Sequence, residues 1–202
     1  AVFELLESIL FNGSFFLLEE HLDRLQRSAR YFGIRIADDV RNALGGAVAN
    51  APSGPRKVRL LVNHEGRVRV ELEEAASAAT VRVGIAKKYV QSSNVYLFHK
   101  TTIRDVYEQA RATRPDCDDV ILWNERGEIT ESSSANVVAV IDGKHYTPPV
   151  TCGLLAGTFR AHLLREGAIH ERVLTKDDIR RAQRIHLINS VRKWIPTDFV
   201  DR

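Results

Sequence analysis

Apolar positions alternate at the start of the chain and then fall into a helical repeat. "VFELLESIL" (2–10) predicts a strand, and Asn12-Gly13 at the centre of "FNGS" predicts a hairpin turn, since both residues accept positive backbone angles. "FFLL" is the expected returning strand. Leu18, Leu22, Leu25, Ala29 and Phe32 recur at spacings of four and three, which predicts a helix over 18–32 stopped by Gly33. A second helix over about 38–48 would carry Val40, Leu44 and Val48 on one face. After the loop "APSGP", the segment "KVRLLVNHEGRVRVELE" predicts a hairpin turning at Glu65-Gly66.

The small residues of "EEAASAAT" (73–80) break this pattern and give the domain plan: a smaller N-terminal lobe over 1–75, a linker over 76–79 and a larger C-terminal lobe over 80–202. In the second lobe "VRVGIAKKYV" predicts a strand and the apolar "VYLF" a buried strand running into His99 and Lys100. Thr101-Thr102 then opens a helix to about Thr113. Hairpins follow in "DDVILWNERGEITES", turning at Arg126-Gly127, and in "NVVAVIDGKHYTPP". A helix from Gly157 to about Arg165, a strand "ERVLT", a short helix over 176–183 and a last strand "RIHLINS" complete the chain. Strands and helices show no regular βαβ alternation, which is the pattern of an α+β fold in two lobes.

Composition narrows the function. At 44% apolar residues the chain can bury a real core, and its net charge of +3 lacks the polybasic footprint of a nucleic-acid binder. No apolar run approaches the ~18 residues of a membrane span, so neither nucleic acid nor membrane is an expected partner. Cys117 and Cys152 have no metal-ligand spacing, and the seven histidines form no zinc pattern with them, so no metal is expected. Two such thiols point to a reduced, cytoplasmic setting. The first residues carry Glu4 and Glu7 and no basic start, unlike a signal peptide. The missing initiator Met is read as a domain cut from a longer chain or an incomplete N-terminus.

Four stretches carry candidate chemistry. A lysine where a buried strand meets a helix N-terminus, with Arg104 close by, would be desolvated and repelled, which makes Lys100 a candidate nucleophilic amine; a surface lysine is the commoner reading of such a position. In "EITESSSANVVAV", Glu131 ends a strand before three serines and Asn136, either a plain polar turn or backbone lining a ligand, with a carboxylate able to keep a ring nitrogen protonated. In "CGLLAGTFRAHLL", Gly157 leads into a helix whose Thr158 and Phe159 amides suit an anion. Asn189-Ser190 in "HLINSVRKWIP" are small donors at a strand end, and the first helix carries a polar row of His21, Arg24 and Ser28, where Arg24 could clamp an anion or the row could simply face water. A reactive lysine, a lone carboxylate and donors for one phosphate are the protein's share of a pyridoxal phosphate site.

In "FELLES", "FFLLEEHLDRLQRSARYFG", "HKTTIRDVY", "TPPVTCGLLAGTFR" and "NSVRKWIP" the chain resembles the class IV aminotransferases. These are the fold-type IV pyridoxal phosphate enzymes, which include branched-chain and D-amino-acid aminotransferases and aminodeoxychorismate lyase. The resemblance covers essentially the whole chain and is strongest to lyase-like domains fused behind the chorismate-aminating component of para-aminobenzoate synthase. It implies a two-lobed D-amino-acid aminotransferase-like fold with pyridoxal 5'-phosphate between the lobes. It also implies Lys100 as Schiff base and proton shuttle, Glu131 on the pyridine nitrogen, and Arg24, the Gly157-Thr158-Phe159 helix start, Asn189 and Ser190 around the phosphate. Asn136, five residues after the glutamate, would brace its turn. The implied function is a lyase forming 4-aminobenzoate and pyruvate for folate synthesis, with Lys87, Lys88 and Arg192 as candidates for the substrate carboxylates. The alternatives are a class IV aminotransferase acting on branched-chain or D-amino acids, and an inert cofactor-binding domain. A homodimer is implied by the family.

The chain departs from the family pattern in three places. Ala156-Gly157-Thr158-Phe159 stands where transaminases show proline and then Ile-Thr, and Val138 stands where an aromatic is common. Asp105 stands five residues after the lysine, where branched-chain enzymes have a tyrosine touching the cofactor; Tyr107, two further on, is not given that role.

Overall fold

The computed structural model describes residues 2–75 and 78–202, so residues 76 and 77 of the expected linker lie outside the described residues. The chain divides into two compact units. The first takes Ala1–Ser77 together with two segments that the sequence reading placed in the C-terminal lobe, His99–Ile103 and Ser190–Arg192.

In the first unit β1 (Leu5–Phe11), β2 (Arg56–Val62) and β3 (Val68–Glu74) form an antiparallel sheet in that order. Alternation puts Leu5, Glu7 and Ile9 on one face of β1. There Leu5 and Ile9 pack with Val58, Leu60 and Val62 against Leu25 and Ala29 of α1 (Leu18–Tyr31) and Leu44 of α2 (Val40–Val48). Glu7 therefore lies among core residues, directly opposite Leu60. Asp39 caps α2 by accepting from the Asn42 amide at 3.0 Å. The β2–β3 turn must be tight: Gly66 has φ +81°, and a Cβ there would lie 1.9 Å from the Arg35 carbonyl oxygen.

The expected returning strand "FFLL" does not form. Phe15 makes one isolated bridge to Phe11, and Leu17 then enters the left-handed region at φ 54°, turning the chain into α1 after a single apolar step. The helix period that begins at Leu18 overrides the apolar run.

The second unit is built on an eight-stranded mixed sheet. Its strands are β4 (Val81–Ile85), β5 (Asp119–Trp123), β6 (Ile129–Ser132), β7 (Asn136–Ile141), β8 (Lys144–Thr147), β9 (His170–Glu171), β10 (Arg184–Asn189) and β11 (Lys193–Phe199), in the order β6-β5-β4-β11-β10-β7-β8-β9. The β4–β5, β4–β11 and β8–β9 pairs are parallel. Three helices accompany it: α3 (Asp105–Ala112), α4 (Thr158–Arg165) and α5 (Lys176–Arg181), the last opened by a capping box of Thr175 and Asp178. The all-apolar centre of β5 is buried on both faces. Ile121 joins the core of Val83, Val137 and Leu187, while Val120 and Leu122 join a second cluster with Leu97, Tyr107 and Ala110.

Four expectations fail here for local reasons. "VYLF" is a single 3-10 turn, Val95–Leu97, capped by Asn94, which accepts from the Tyr96 amide. The following helix begins at Asp105, five residues beyond Lys100, so the helix dipole does not act on that lysine. The strand expected in "ERVLT" is the two-residue β9, ending at Glu171. Finally β11, which follows the last expected strand, was not expected, and it carries Pro196, a residue that inner strands disfavour. It is tolerated because pairing with β4 starts one residue later, at Thr197.

Candidate active site

The candidate residues fall in both units. In the first unit Lys100 lies, partly buried, on an extended segment laid along β1. The Lys100 carbonyl accepts from the Leu6 amide at 3.0 Å, Thr101 bridges Leu5, and the Thr102 amide donates to the Glu4 carbonyl at 2.9 Å. Backbone bonds on both sides therefore fix the position from which the amine extends. His99 anchors the segment to α1: its Nδ1 lies 2.8 Å from Ser28 Oγ, and its ring stacks on Tyr31 with centroids 4.4 Å apart. Burial lowers the His99 pKa, which favours the neutral ring in this setting.

The polar row of α1 does not face water. His21, Arg24 and Ser28 are 0%, 7% and 5% exposed, turned onto β1. Arg24 donates from Nε and Nη2 to the two carboxylate oxygens of Glu7 at 2.8 and 2.7 Å, and His21 Nδ1 lies 2.6 Å from Glu7 Oε2. Burial alone would raise the Glu7 pKa, but the Arg24 charge and the hydrogen bonds from Arg24 and His21 outweigh it and bring it down to about 2. Ser190 joins the same region, its hydroxyl donating to the carbonyl of Ser8, the neighbour of Glu7, at 3.3 Å. Arg192 also belongs to this unit.

In the second unit Glu131 is 4% exposed near the end of β6. Its Oε1 accepts from the Tyr107 hydroxyl at 2.8 Å, and its Oε2 takes a longer 3.3 Å bond from the Leu155 amide. Asn136, at the start of β7, donates to the Leu155 carbonyl at 2.9 Å. Glu131 and Asn136 thus grip both polar groups of Leu155, so Asn136 braces the approach to α4 rather than its own turn. That approach is narrow: a Cβ on Gly157 would sit 2.1 Å from Asn136 Oδ1. Gly157 is the N-cap of α4 and supplies no side-chain cap, and the first turn brings the buried Thr158 and Phe159. Helix N-termini attract anions because the first amides have no acceptor within the helix.

The hydroxyls of the serine turn are taken up within the unit itself. Ser132, Ser133 and Ser134 donate their hydroxyls to Asp119 at 2.9, 2.5 and 2.6 Å, and the Ser133 amide adds a bond of 3.0 Å. Arg104 donates to the Ser133 carbonyl, and Asn189 Nδ2 reaches the Ser134 carbonyl at 3.3 Å. These groups tie the turn down, and Asn189 is one of the ties. Asp119→Ala would strand the buried hydroxyls of Ser132 and Ser133 and release the exposed Ser134. We expect it to lower stability by about 3 kcal/mol, read from urea unfolding, and to loosen cofactor binding through Glu131. Lys87 and Lys88 are exposed beyond the end of β4.

Sequence reasoning missed Glu7, His99, Asp119 and Tyr107. Only Glu7 had a local signal, a carboxylate on the apolar stripe of β1. Among the described residues no group of three or more His, Cys, Asp or Glu could hold a metal ion, and no helix is long and apolar enough to cross a membrane.

A model of the amino-transferase class IV family matches residues 1–198. A Schizosaccharomyces pombe protein provisionally described as an aminodeoxychorismate lyase is 31% identical, over 94% of this chain and 86% of its own length. A crystal structure from Mesorhizobium loti, provisionally described as an amino-acid aminotransferase, is 34% identical with a TM-score of 0.89, covering 98% of this chain and 100% of the other. The D-alanine aminotransferase of Bacillus licheniformis is 25% identical over 95% of this chain and 76% of its own.

Proposed function

We propose that this chain, which belongs to the class IV aminotransferase family of pyridoxal 5'-phosphate enzymes, is an aminodeoxychorismate lyase that converts 4-amino-4-deoxychorismate to 4-aminobenzoate and pyruvate. The observation that carries the choice of reaction is the likeness to the Schizosaccharomyces pombe protein along nearly the whole of both chains.

The described residues fit the cofactor. It needs an amine, a carboxylate for its ring nitrogen and donors for a phosphate dianion. Lys100 is an amine on a fixed backbone. Glu131 is a buried carboxylate held by two donors. At Gly157 the absence of a side chain keeps the first turn of α4 open beside Asn136. Arg24 and Ser190 are the phosphate partners we assign in the first unit, with Asn189 acting through the serine turn.

When bound, the cofactor supplies an electron sink for a carbanion next to nitrogen. In the proposed reaction Lys100 Nζ anchors the cofactor in the resting protein and takes the proton from the substrate carbon that bears nitrogen. Glu131, as a carboxylate, holds a proton on the ring nitrogen. Loss of the substrate proton and departure of the enolpyruvyl group as pyruvate leave an aromatic ring, so the step is downhill. The residues need chiefly to position groups and move one proton. The substrate's carboxylates call for cations, and Lys87, Lys88 and Arg192 are the ones we assign.

A second reading, an aminotransferase acting on branched-chain or D-amino acids, is favoured by the Mesorhizobium loti and Bacillus licheniformis relatives. Incubation with cofactor and 4-amino-4-deoxychorismate, without any 2-oxo acid, separates the two. The lyase yields 4-aminobenzoate and pyruvate in equal amounts. No product there, with amino exchange between an amino acid and a 2-oxo acid, would overturn the lyase reading. We also assign a homodimer, a cytoplasmic location and work beside, or fusion to, a chorismate-aminating component, all by analogy with the family.

A further inference from the structure

The mechanism above needs Glu131 to be a carboxylate although it is buried, and burial opposes charge on a carboxyl group. The surroundings of Glu131 answer that. Its Oε1 accepts from the Tyr107 hydroxyl at 2.8 Å, in a pocket where Tyr107 is itself 6% exposed. Tyr107 sits in the first turn of α3, and its ring is covered by the Arg104 guanidinium, 4.2 Å from the centroid. Arg104 in turn donates to the Ser133 carbonyl, so the cation that covers the tyrosine is tied to the turn that follows Glu131. Glu131 also accepts from the Leu155 amide and, from α4, feels the charge of buried Arg160. The Tyr107 hydroxyl, the Leu155 amide and the Arg160 charge each favour the ionised carboxyl.

We propose that Tyr107 is a positioning residue that keeps Glu131 ionised and fixed in orientation, the form in which it can hold a proton on the cofactor's ring nitrogen. The inference rests on the role assigned to Glu131 above. Tyr107 acts only as a donor: burial, the neighbouring Glu131 charge and their hydrogen bond push its own pKa well above the usual 10, so it keeps its proton at every working pH. A donor to the carboxylate weakens that carboxylate as a base, and in a shared hydrogen bond the proton then stays on the ring nitrogen rather than moving to Glu131. The residue two positions beyond the tyrosine site of the branched-chain enzymes thus serves the cofactor at one remove, through the carboxylate.

The test loads the protein with pyridoxal phosphate labelled with nitrogen-15 in the ring and reads that resonance at fixed pH. Wild type, Tyr107→Phe and Glu131→Gln are compared, with thermal unfolding of each to show that it is folded. A hydrogen bond to a charged group corresponds to about one to two pH units. Tyr107→Phe should therefore shift the ring nitrogen toward its unprotonated position, with the ratio of protonated to unprotonated falling about tenfold to a hundredfold. Glu131→Gln should lose the protonated signal. Replacing Tyr107 by 3-fluorotyrosine, a stronger donor of nearly the same shape, keeps the question answerable if Tyr107→Phe unfolds. With carbon-13 in the Glu131 carboxyl, its titration should then move to lower pH than in wild type. A wild-type resonance in Tyr107→Phe, or an unmoved titration with fluorotyrosine, overturns the inference and leaves the function standing if Glu131→Gln has lost its signal. If Glu131→Gln keeps the protonated signal, the role of Glu131 itself fails.

Discussion

Lys100→Ala should leave a folded protein that develops no visible absorbance band with pyridoxal phosphate and whose turnover falls about ten-thousand-fold or more. Loss of a covalent catalytic group costs on this scale because the remaining residues bind but supply no substitute amine. Stability should change little. The bonds that hold the segment are made by backbone, from Leu6 to the Lys100 carbonyl and from Thr102 to Glu4, and alanine keeps them. The variant is checked by absorbance, by product formation and by thermal unfolding in parallel. A normal unfolding curve with no activity places the defect in the amine. A wild-type band would mean that another lysine carries the cofactor.

Glu7→Ala should be the most damaging change to stability among the polar residues discussed. It removes the buried carboxylate to which Arg24 donates twice, and breaking such a pair costs about 3–5 kcal/mol. For a chain of this size that lowers the unfolding midpoint by roughly 10 °C. The pair also sets an acid limit. The folded protein holds the Glu7 proton less tightly than the unfolded chain, with a pKa of about 2 against an ordinary 4.5. Its stabilisation is therefore complete above pH 4.5 and is lost as pH falls from there toward 2. The amount is on the order of 3 kcal/mol, and unfolding midpoints across that window should show the loss in wild type and not in Glu7→Ala. Buried ion pairs can often be exchanged for apolar residues without loss of stability. The double change Glu7→Leu with Arg24→Met should therefore recover most of the stability while leaving affinity for pyridoxal phosphate poor. If the double variant binds the cofactor as wild type does, Arg24 is a structural residue and not a phosphate partner.

The residues behind these expectations were unevenly legible. The hairpins at Gly66 and Gly127 and the helix from Leu18 follow from local turn chemistry and periodicity, which is why they were readable in one pass along the chain. Lys100 and Glu131 stood out as isolated charges beside apolar runs. The reason first attached to Lys100, a helix N-terminus, was local and failed: α3 begins at Asp105, and what fixes the lysine is pairing with β1, about ninety-five residues away in sequence. His21, Arg24 and Ser28 looked like a solvated face because the carboxylate and imidazole that satisfy them, Glu7 and His99, come from other elements. For the same reason Ser132–Ser134 read as either a plain polar turn or a ligand lining, since Asp119, which holds their hydroxyls, lies on the neighbouring strand. Tyr107 was set aside on spacing alone, and only the packing of α3 against β5, the neighbour of β6, shows its partner. In each case the residue type was visible and its long-range partner was not.

The central claim is that Lys100 is the amine to which pyridoxal phosphate attaches. It is tested most directly by loading the wild-type protein with cofactor, reducing it with borohydride, digesting it and locating the added mass on a peptide. The account predicts the pyridoxyl group on Lys100, within "VYLFHKTTIR", and on no other lysine in stoichiometric amount. Label found mainly on Lys87, Lys88 or any other lysine, or no label at all, would contradict it.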